Sequence, residues 1–298
     1  MRVTPVHTIP LLPAKRSPYL SIMPGTLYVV ATPLGNLGDL SERAGSVLRA
    51  VAVVAAEDTR RTRGLLTHLG AAPQLLSYHA HSDHKRLATL LEILHDGRDV
   101  ALVSDAGTPA VSDPGTDLVA AAREASIAVV PIPGPSAVAT ALSAAGFKSD
   151  RYLFLGFVPR KGGERGRLLA RAALEEWSVV FFEAPPRLAD LLGDLAKLAP
   201  GRRAAVAREL TKLHEEFRVG PIEELAQYYS EYPPRGELTV VLEGTGTPAE
   251  PPDRTEDARA QASVLLAEGL TRREVVRRLS DTLGLSRNDA YRLVMELP

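Results

Sequence analysis

Through the first half of the chain, short apolar runs rich in β-branched residues alternate with longer amphipathic stretches of helical period. The clearest strand-like runs are 26–31, 51–55, 99–103 and 127–130. Because strands that alternate with helices pair in parallel through right-handed crossovers, this pattern predicts an α/β domain with a parallel sheet.

The second half has a different rhythm. Strand-like runs at 152–157, 179–182, 204–207, 215–219 and 237–243 are joined in several places by short loops, which predicts a mixed sheet. Beyond them, helical periodicity is interrupted at 269–271 and 284–286, where Thr271 and Ser286 are candidate N-caps. We therefore predict three short C-terminal helices, the last two spaced like a helix-turn-helix pair or any small helical bundle.

These patterns divide the chain into five segments. The expected first α/β domain spans 25–147, the second spans 148–246, and a proline-rich, acidic linker at 247–256 leads to a helical domain at 257–298. Residues 1–24 are expected to be a mobile leader, with docking of that segment as the alternative, since its apolar run is too short for a signal peptide. Met23 directly precedes the first strand and is an alternative translation start.

Composition narrows the possible chemistry. With 35 basic and 36 acidic side chains, the chain cannot bind a polyanion through gross positive charge, so any RNA contact must come from local patches. Its lack of cysteine excludes thiolate nucleophiles, disulfides and cysteine-bound zinc, and agrees with a reducing compartment. No apolar run is long enough to cross a bilayer, and we expect a cytoplasmic protein without a membrane partner.

Two loops rich in glycine, proline and small residues follow predicted strands that we expect to be neighbours in the sheet, at 104–115 and 133–137. At the carboxyl edge of a parallel sheet, such loops bind ligands: small residues leave room for a flat ring, and Asp105 can accept hydrogen bonds. The structural alternatives are a tight turn in which Asp105 caps the helix near Thr116, and a proline-rich helix cap. The chain has no dinucleotide-binding glycine motif or P-loop after its first strand, which disfavours nicotinamide and nucleotide-triphosphate chemistry.

The same regions carry a family resemblance that extends in order over about residues 25–245. The matching runs are LYVVATPLGNLGDL at 27–40, EDTR at 57–60, SYH at 77–79, VSDAGTP at 103–109, PGPS at 133–136, GF at 156–157, FEAP at 182–185 and RELTK at 208–212. They resemble a bacterial family of small-subunit ribosomal RNA methyltransferases in the tetrapyrrole methylase superfamily. Members of that family methylate the 2′-hydroxyl of a cytidine in the decoding region of 16S ribosomal RNA.

The resemblance implies two α/β domains of the tetrapyrrole methylase type, with a cleft that holds S-adenosylmethionine, plus a C-terminal helical extension. The resemblance implies nine cofactor-binding residues, eight from first-domain loops and Phe182 from the second domain, with Val206 as a further candidate that closes the cleft from the second domain. From the first domain they are Pro33, Val103, Ser104, Asp105, Ala106, Thr108, Ser136 and Ala137. The turn after the first strand reads PLGN at 33–36, where porphyrinogen-methylating relatives have GPGD, and this departure favours the RNA branch.

Methyl transfer to a ribose hydroxyl needs precise alignment and benefits from a base. Glu57 and Asp58 follow a first-domain strand, and further candidates lie at 208–215. Our hypothesis is that Lys212, made neutral by desolvation, or Asp58 assists deprotonation. The alternatives are structural: Asp58 caps the helix that follows it, and Glu209 pairs with Arg208.

Three local clusters of cations are the candidate RNA contacts. The densest, at 160–171, supplies Arg160, Lys161 and Arg165; its alternative role is a solvated helix face. Arg60 belongs to a smaller patch, and Lys85 with Arg86 follows a histidine-rich segment. The spacing of His79, His81 and His84 fits no standard zinc motif, so we predict no metal site.

The resemblance further implies 16S ribosomal RNA as partner, within the small ribosomal subunit, and a homodimer. Two other functions remain open on the sequence. One is a methylase of a tetrapyrrole or another small molecule in the same superfamily. The other is a nucleic-acid-binding regulator whose α/β part senses a ligand without turnover.

Overall fold

The computed structural model describes residues 23–79, 84–247, 255–283 and 287–297. One compact unit includes 23–173 and 177–244, and a second includes 174–176 and the C-terminal helices. The predicted leader lies outside the described residues apart from its last two positions, and most of the predicted linker also lies outside them.

The first half forms a parallel sheet, and within 23–147 its described strands follow the order β3-β2-β4-β1-β5. Apolar clusters pack on both of its faces, which explains why β2 and β4 are apolar at every position. The strands are β1 Leu27–Val30, β2 Val53–Ala56, β3 Gln74–Ser77, β4 Val100–Val103 and β5 Val129–Ile132. The helices are α1 Glu42–Ala50, α2 Thr59–His68, α3 His84–His95, α4 Thr116–Glu124 and α5 Ala137–Ala145.

The strand pattern predicts β1, β2, β4 and β5 but misses the edge strand β3. Its sequence contains two consecutive leucines between polar residues, and none of its positions is fully buried. A short, half-covered edge strand has neither the continuous apolar run of a central strand nor a clear alternation.

The second half forms the predicted mixed sheet, in the order β6-β7-β10-β8-β9 for the strands described within 148–247. β6 pairs in parallel with β7, and the other pairs are antiparallel. The strands are β6 Tyr152–Phe157, β7 Ser178–Glu183, β8 Arg203–Arg208, β9 Glu216–Pro221 and β10 Leu238–Leu242. The helices that cover one face of this sheet are α6 Gly163–Leu174, α7 Leu188–Leu198 and α8 Ile222–Glu231.

Helix α5 joins the two halves. It belongs in sequence to the first half, but Val138 and Leu142 pack in one buried cluster with Val180, Ala205 and Val241 of the second sheet. Ser136 caps this helix by accepting a hydrogen bond from Ala139 N. Because α5 covers the second sheet's other face, the halves share a core and form one compact unit.

The C-terminal unit contains α9 Thr255–Ala267, α10 Arg272–Leu283 and α11 Arg287–Met295 around a small apolar core. Thr271 and Glu274 exchange hydrogen bonds at the start of α10, which confirms the predicted cap at Thr271. The second predicted cap, Ser286, lies outside the described residues.

Candidate active site

The loops that follow β1, β4 and β5 meet at the carboxyl edge of the first sheet. Thr32 and Gly107 exchange backbone hydrogen bonds of 2.9 and 3.0 Å, and the Thr108 hydroxyl lies 3.3 Å from the Pro135 carbonyl oxygen. The sequence-based expectation placed the loops after β4 and β5 on neighbouring strands. That detail is wrong: β1 lies between β4 and β5, and its own loop completes the cradle.

A cavity of about 370 Å³ opens between these loops and the second sheet, large enough for a cofactor-sized molecule. Its walls combine small, apolar and carboxylate side chains from both halves of the compact unit. From the first half they include Leu34, Glu57, Arg61, Asp105, Ala106, Gly107, Thr108, Val111, Asp113, Ser136, Ala137 and Val138. From the second they include Phe157, Phe182, Glu183, Ala184, Pro185, Ala207, Leu210, Gly236, Glu237, Leu238 and Thr239.

Six of the nine expected cofactor residues line this cavity: Asp105, Ala106, Thr108, Ser136, Ala137 and Phe182. The other three, Pro33, Val103 and Ser104, are buried and are not among the wall residues. Val206 lies in the core, and its neighbour Ala207 lines the wall instead.

Asp105 ties two loops together and does not cap α4, whose cap position is Gly115. One of its carboxylate oxygens accepts a 2.9 Å hydrogen bond from Asp58 N, and the other lies 3.5 Å from the Arg61 guanidinium. Its own backbone N–H donates to Glu57 at 3.4 Å. The loops after β2 and β4 are therefore held as one wall of the cavity.

Asp58 caps α2, as the structural alternative expects, and accepts hydrogen bonds from the backbone and side chain of Arg60. These hydrogen bonds hold the pKa of Asp58 well below its ordinary value. Such a carboxylate is a weak proton acceptor, and Asp58 is not among the cavity-lining residues.

Lys212 lies in an ion-paired cluster, 2.8 Å from Glu209 and 3.1 Å from Glu237. Burial lowers the pKa of Lys212, but hydrogen bonds to these two carboxylates outweigh burial and raise it above its ordinary value. The expectation of a neutral lysine is therefore wrong. The partner of Glu209 is Lys212, whereas Arg208 pairs with Glu216.

The Lys212 side chain also crosses from the second half to the first. It passes over Gly35, where any side chain would overlap it. The neighbouring Thr211 hydroxyl accepts a 3.2 Å hydrogen bond from Asn36 N. Segment 209–212 thus braces the loop after β1, with Glu209 and Thr211 both at positive φ.

The sequence reasoning missed Asp113, and it weighed Glu57 only as one of several candidate bases. Burial raises the pKa of Glu57, and burial raises the pKa of Asp113 to about 6, since both carboxyl groups line the cavity. Asp113 stands in the run SDPG, which has the composition of an ordinary turn. Its distinguishing feature is the tertiary environment.

Glu183 is a second missed residue. Its side chain is fully buried and forms an ion pair with Arg187, and one carboxylate oxygen accepts a 2.7 Å hydrogen bond from Ala184 N. Among the residues that the structure describes, its other oxygen, Oε2, has no hydrogen-bond partner. Glu183 is one of the cavity-wall residues, but its side chain is fully buried, so the unpaired oxygen is not exposed to the cavity in this structure.

An aromatic row of Phe154, Phe182 and Phe157 lies at the second-half side of the cavity, where Phe182 and Phe157 form part of the wall. Phe182 makes edge contacts with Phe154 at 4.9 Å and with Phe157 at 5.4 Å between ring centroids. The pairing of β6 with β7 shifts between Phe154 and Phe157, and Gly156 there has a φ of 63°. Phe157 is left 58% exposed at the cavity.

The expected RNA-binding cations have different surroundings. Arg160 and Lys161 are exposed between β6 and α6, and Lys85 is exposed in the first turn of α3, where Arg86 is partly buried. Arg60 is exposed but pairs with Asp58. Arg165 does not present a free cation: it is 13% exposed and holds Asp194 at 2.9 Å.

Of the histidine cluster, His79 and His84 are described and His81 lies outside the described residues. In the described ranges no three histidine or acidic side chains gather as a metal site would require. No helix in those ranges combines the length and the apolar content needed to span a bilayer.

Comparison with known proteins identifies the class of enzymes to which this fold belongs. Residues 26–226 match the model of the Tetrapyrrole (Corrin/Porphyrin) Methylases. The uroporphyrin-III C-methyl transferase from Thermus thermophilus, solved in complex with S-adenyl homocysteine, shares the fold with a TM-score of 0.55 at 18% identity. That alignment covers 74% of this chain and 97% of the other.

Proteins of similar sequence identify the family within this class. The ribosomal RNA small subunit methyltransferase I of Synechocystis is 44% identical over 92% of this chain and 98% of its own length. The protein of the same name from Thermotoga maritima is 43% identical over 220 residues, which are 74% of this chain and 99% of that protein. The chain therefore belongs to the ribosomal RNA small subunit methyltransferase I family of tetrapyrrole methylases.

Proposed function

We propose that this protein uses S-adenosylmethionine to methylate 16S ribosomal RNA, at the ribose 2′-hydroxyl of a cytidine in the decoding region. The observation that carries the proposal is the cavity itself. In a chain of this family, loops from three adjacent parallel strands face a second sheet across a space of cofactor size. The RNA substrate in this proposal is inferred from the relatives, which are named ribosomal RNA small subunit methyltransferase I.

The residues of the cavity fit an adenosyl group. Ala106, Gly107 and Ala137 leave space for a flat ring, and a side chain at Gly107 would approach Leu34 to 3.3 Å. We assign the binding of the methyl donor to these residues with Asp105, Thr108, Ser136 and Phe182. Pro33, Val103 and Ser104 are buried where the same loops leave β1 and β4, and in this proposal they support those loops.

When bound, S-adenosylmethionine supplies a methyl group on a positively charged sulfur. The protein's task is to hold the hydroxyl oxygen in line with that group, because orientation alone is worth an effective molarity on the order of 10⁵ M or more. The shared core formed by α5 fixes the two walls relative to each other. Lys212, paired and protonated, acts in this proposal as a brace between the walls.

The RNA approaches, in this proposal, at the exposed side of the aromatic row. Phe157 offers an uncovered ring beside the cavity, and an unstacked base gains about 1–3 kcal/mol on such a surface. Arg160 and Lys161 follow it closely in sequence and supply phosphate contacts. On the family resemblance we further propose a cytoplasmic homodimer that acts on the small ribosomal subunit.

The test is a methyl-transfer assay with isotopically labelled S-adenosylmethionine. Its substrates are small ribosomal subunits, naked 16S RNA and a porphyrinogen. We expect transfer to RNA, and nuclease digestion should recover the label on a ribose-methylated cytidine. Transfer to the porphyrinogen would favour the small-molecule methylase, and cofactor binding without turnover on any of the three would favour the regulator.

A further inference from the structure

Asp113 occupies a different position from the other aspartate in the loop after β4. Asp105 is engaged by Asp58 N and Arg61. Asp113 lines the cavity half-buried and is influenced by the hydroxyl of the buried Ser104, which itself lies 3.4 Å from the Ala106 carbonyl oxygen. Asp113 thus has a neutral hydroxyl as its neighbour, whereas Asp105 has a guanidinium.

The backbone around Asp113 adopts an uncommon conformation. Ala110 has a φ of 66° and Ser112 a φ of 63°, and neither residue is glycine. Left-handed backbone at such residues costs free energy and persists where the surrounding structure enforces it. Here the enforced path carries Asp113 to the cavity wall, with Ser112 next to Gly156 of β6.

Carboxylates from three segments act on Asp113. Glu57 faces it from the loop after β2, Glu237 from the segment before β10, and Asp105 from its own loop, where Arg61 offsets part of the negative charge. Burial is the largest influence, and these carboxylates add to it, so that the pKa of Asp113 rises to about 6. A carboxyl group of this kind is largely ionised at neutral pH, yet it is a better proton acceptor than an ordinary aspartate.

We propose that Asp113 is the catalytic base that takes the proton from the attacking ribose hydroxyl. This inference rests on the proposed function. The hydroxyl oxygen forms a bond to the methyl carbon, the bond from that carbon to sulfur breaks, and its electron pair neutralises the sulfonium. The hydroxyl proton moves to an Asp113 carboxylate oxygen and then to water, so atoms and charge balance.

The test combines single-turnover methylation of small ribosomal subunits with calorimetric binding of S-adenosylmethionine. Asp113→Asn should lower the rate by on the order of 10² to 10⁴ and leave cofactor affinity within about threefold. The wild-type rate should rise tenfold per pH unit at low pH and level off near or below pH 6, since a bound sulfonium lowers the pKa of a nearby carboxyl group. This low-pH limb of the profile, in which the rate rises with pH, should be absent in Asp113→Asn.

Three further variants make the result specific. Asp113→Glu keeps a carboxyl group and should recover part of the rate. Asp96→Asn removes an exposed aspartate just before β4, at the opposite edge of the sheet, and should behave as wild type. Glu57→Gln tests the other cavity carboxyl group with a raised pKa: loss of the low-pH limb in this variant, with the limb intact in Asp113→Asn, would overturn the assignment.

Thermal stability provides a readout that needs no activity. The pKa of Asp113 is raised in the folded protein, so between pH 4 and 6 the folded state retains a proton that the unfolded chain has released. Stability at this site therefore falls as pH rises through that range. Asp113→Asn should melt a few degrees above wild type at pH 8 and close to it at pH 4, on the order expected for domains of this size.

The outcomes separate the two proposals. If wild type methylates RNA and Asp113→Asn keeps the wild-type rate and pH profile, the role of Asp113 is wrong and the proposed function stands. If wild type transfers no methyl group to RNA, the proposed function falls and the role of Asp113 falls with it. If Asp113→Asn no longer binds S-adenosylmethionine, and its melting temperature differs from that of wild type equally at pH 4 and pH 8, Asp113 is a structural residue and its role as a base is wrong.

Discussion

Gly134 shows how closely single residues set the shape of the cradle. It lies in the loop before α5, and a Cβ placed on it would lie 2.9 Å from the Ala31 Cβ and 3.4 Å from the Ala31 carbonyl oxygen. Real Cβ atoms do not approach so closely, so the loops after β1 and β5 can meet here only without a side chain. Steric contact, rather than backbone freedom, requires this glycine.

We predict that Gly134→Ala destabilises the fold by about 1–3 kcal/mol and weakens binding of S-adenosylmethionine, because the loops must separate. Gly64→Ala is the matched control. Gly64 lies in α2 with open space around its Cβ position, so alanine there should raise stability by up to about 1 kcal/mol. Urea unfolding and calorimetry measure both effects, and an equal response of the two variants would show that the contact with Ala31 is unimportant.

The neighbours of a charged residue determine whether it has a structural role or is available for proton transfer. Asp58 and Lys212 are both engaged by opposite charges, Asp58 as the cap of α2 and Lys212 as a brace between loops. Asp113 and Glu57 are cavity carboxyl groups whose pKa values burial raises. These surroundings favour proton transfer at the second pair.

At the scale of elements, the cationic side chains between β6 and the first turn of α6 have two different roles. Two are exposed at the surface, and one is structural. Arg165 donates to the Pro159 carbonyl oxygen at 3.3 Å and pairs with Asp194, which anchors the start of α6. Arg160 and Lys161 remain exposed on the segment that this anchor holds. The cation cluster in the sequence is therefore an anchored loop that presents two of its charges.

We predict that Arg160→Ala combined with Lys161→Ala weakens RNA binding and lowers the slope of log affinity against log salt by up to about 1.8, with cofactor affinity unchanged. The matched control is Arg98→Ala with Arg123→Ala, two exposed arginines that precede β4 and β5 at the opposite edge of the sheet. Fluorescence anisotropy over a salt series measures the slopes. Equal slopes for the two double variants would remove the loop from the RNA-binding surface.

At the scale of the whole molecule, the cavity-wall residues that the structure describes all belong to the α/β unit. Every residue of the cavity wall falls between 34 and 239, and β10, which ends at Leu242, is paired on both sides within the second sheet. The Thermotoga maritima relative matches over 220 residues and 99% of its length, so a family member exists without the additional residues of this chain. The C-terminal helices have an apolar core of their own.

We predict that a chain ending at Gly244 folds and binds S-adenosylmethionine within about threefold of the full-length affinity, since it retains both sheets. A chain ending at Glu237 is the control: it lacks β10, whose loss removes the strand between β7 and β8, and it should not fold. Circular dichroism and calorimetry test the pair. Failure of the longer fragment to fold would show that the C-terminal helices contribute to the stability of the α/β unit.

The sequence by itself determined the two-part α/β plan, the strands with continuous apolar runs, the cap at Thr271 and the loops at 104–115 and 133–137. These features depend on local pattern, because strand burial, helix caps and turn residues act over a few positions. Family-specific runs added the cofactor, and six of the nine residues named for it line the cavity.

Only the tertiary structure decided which charged groups are available for chemistry. The sequence treats Asp105 and Asp113 as two aspartates in one turn, but packing gives Asp105 an arginine and buries Asp113 beside a hydroxyl. It likewise pairs Lys212 with two carboxylates and anchors Arg165 to Asp194. The physical reason is that burial and charge pairing join residues far apart in the chain, and no local pattern encodes them.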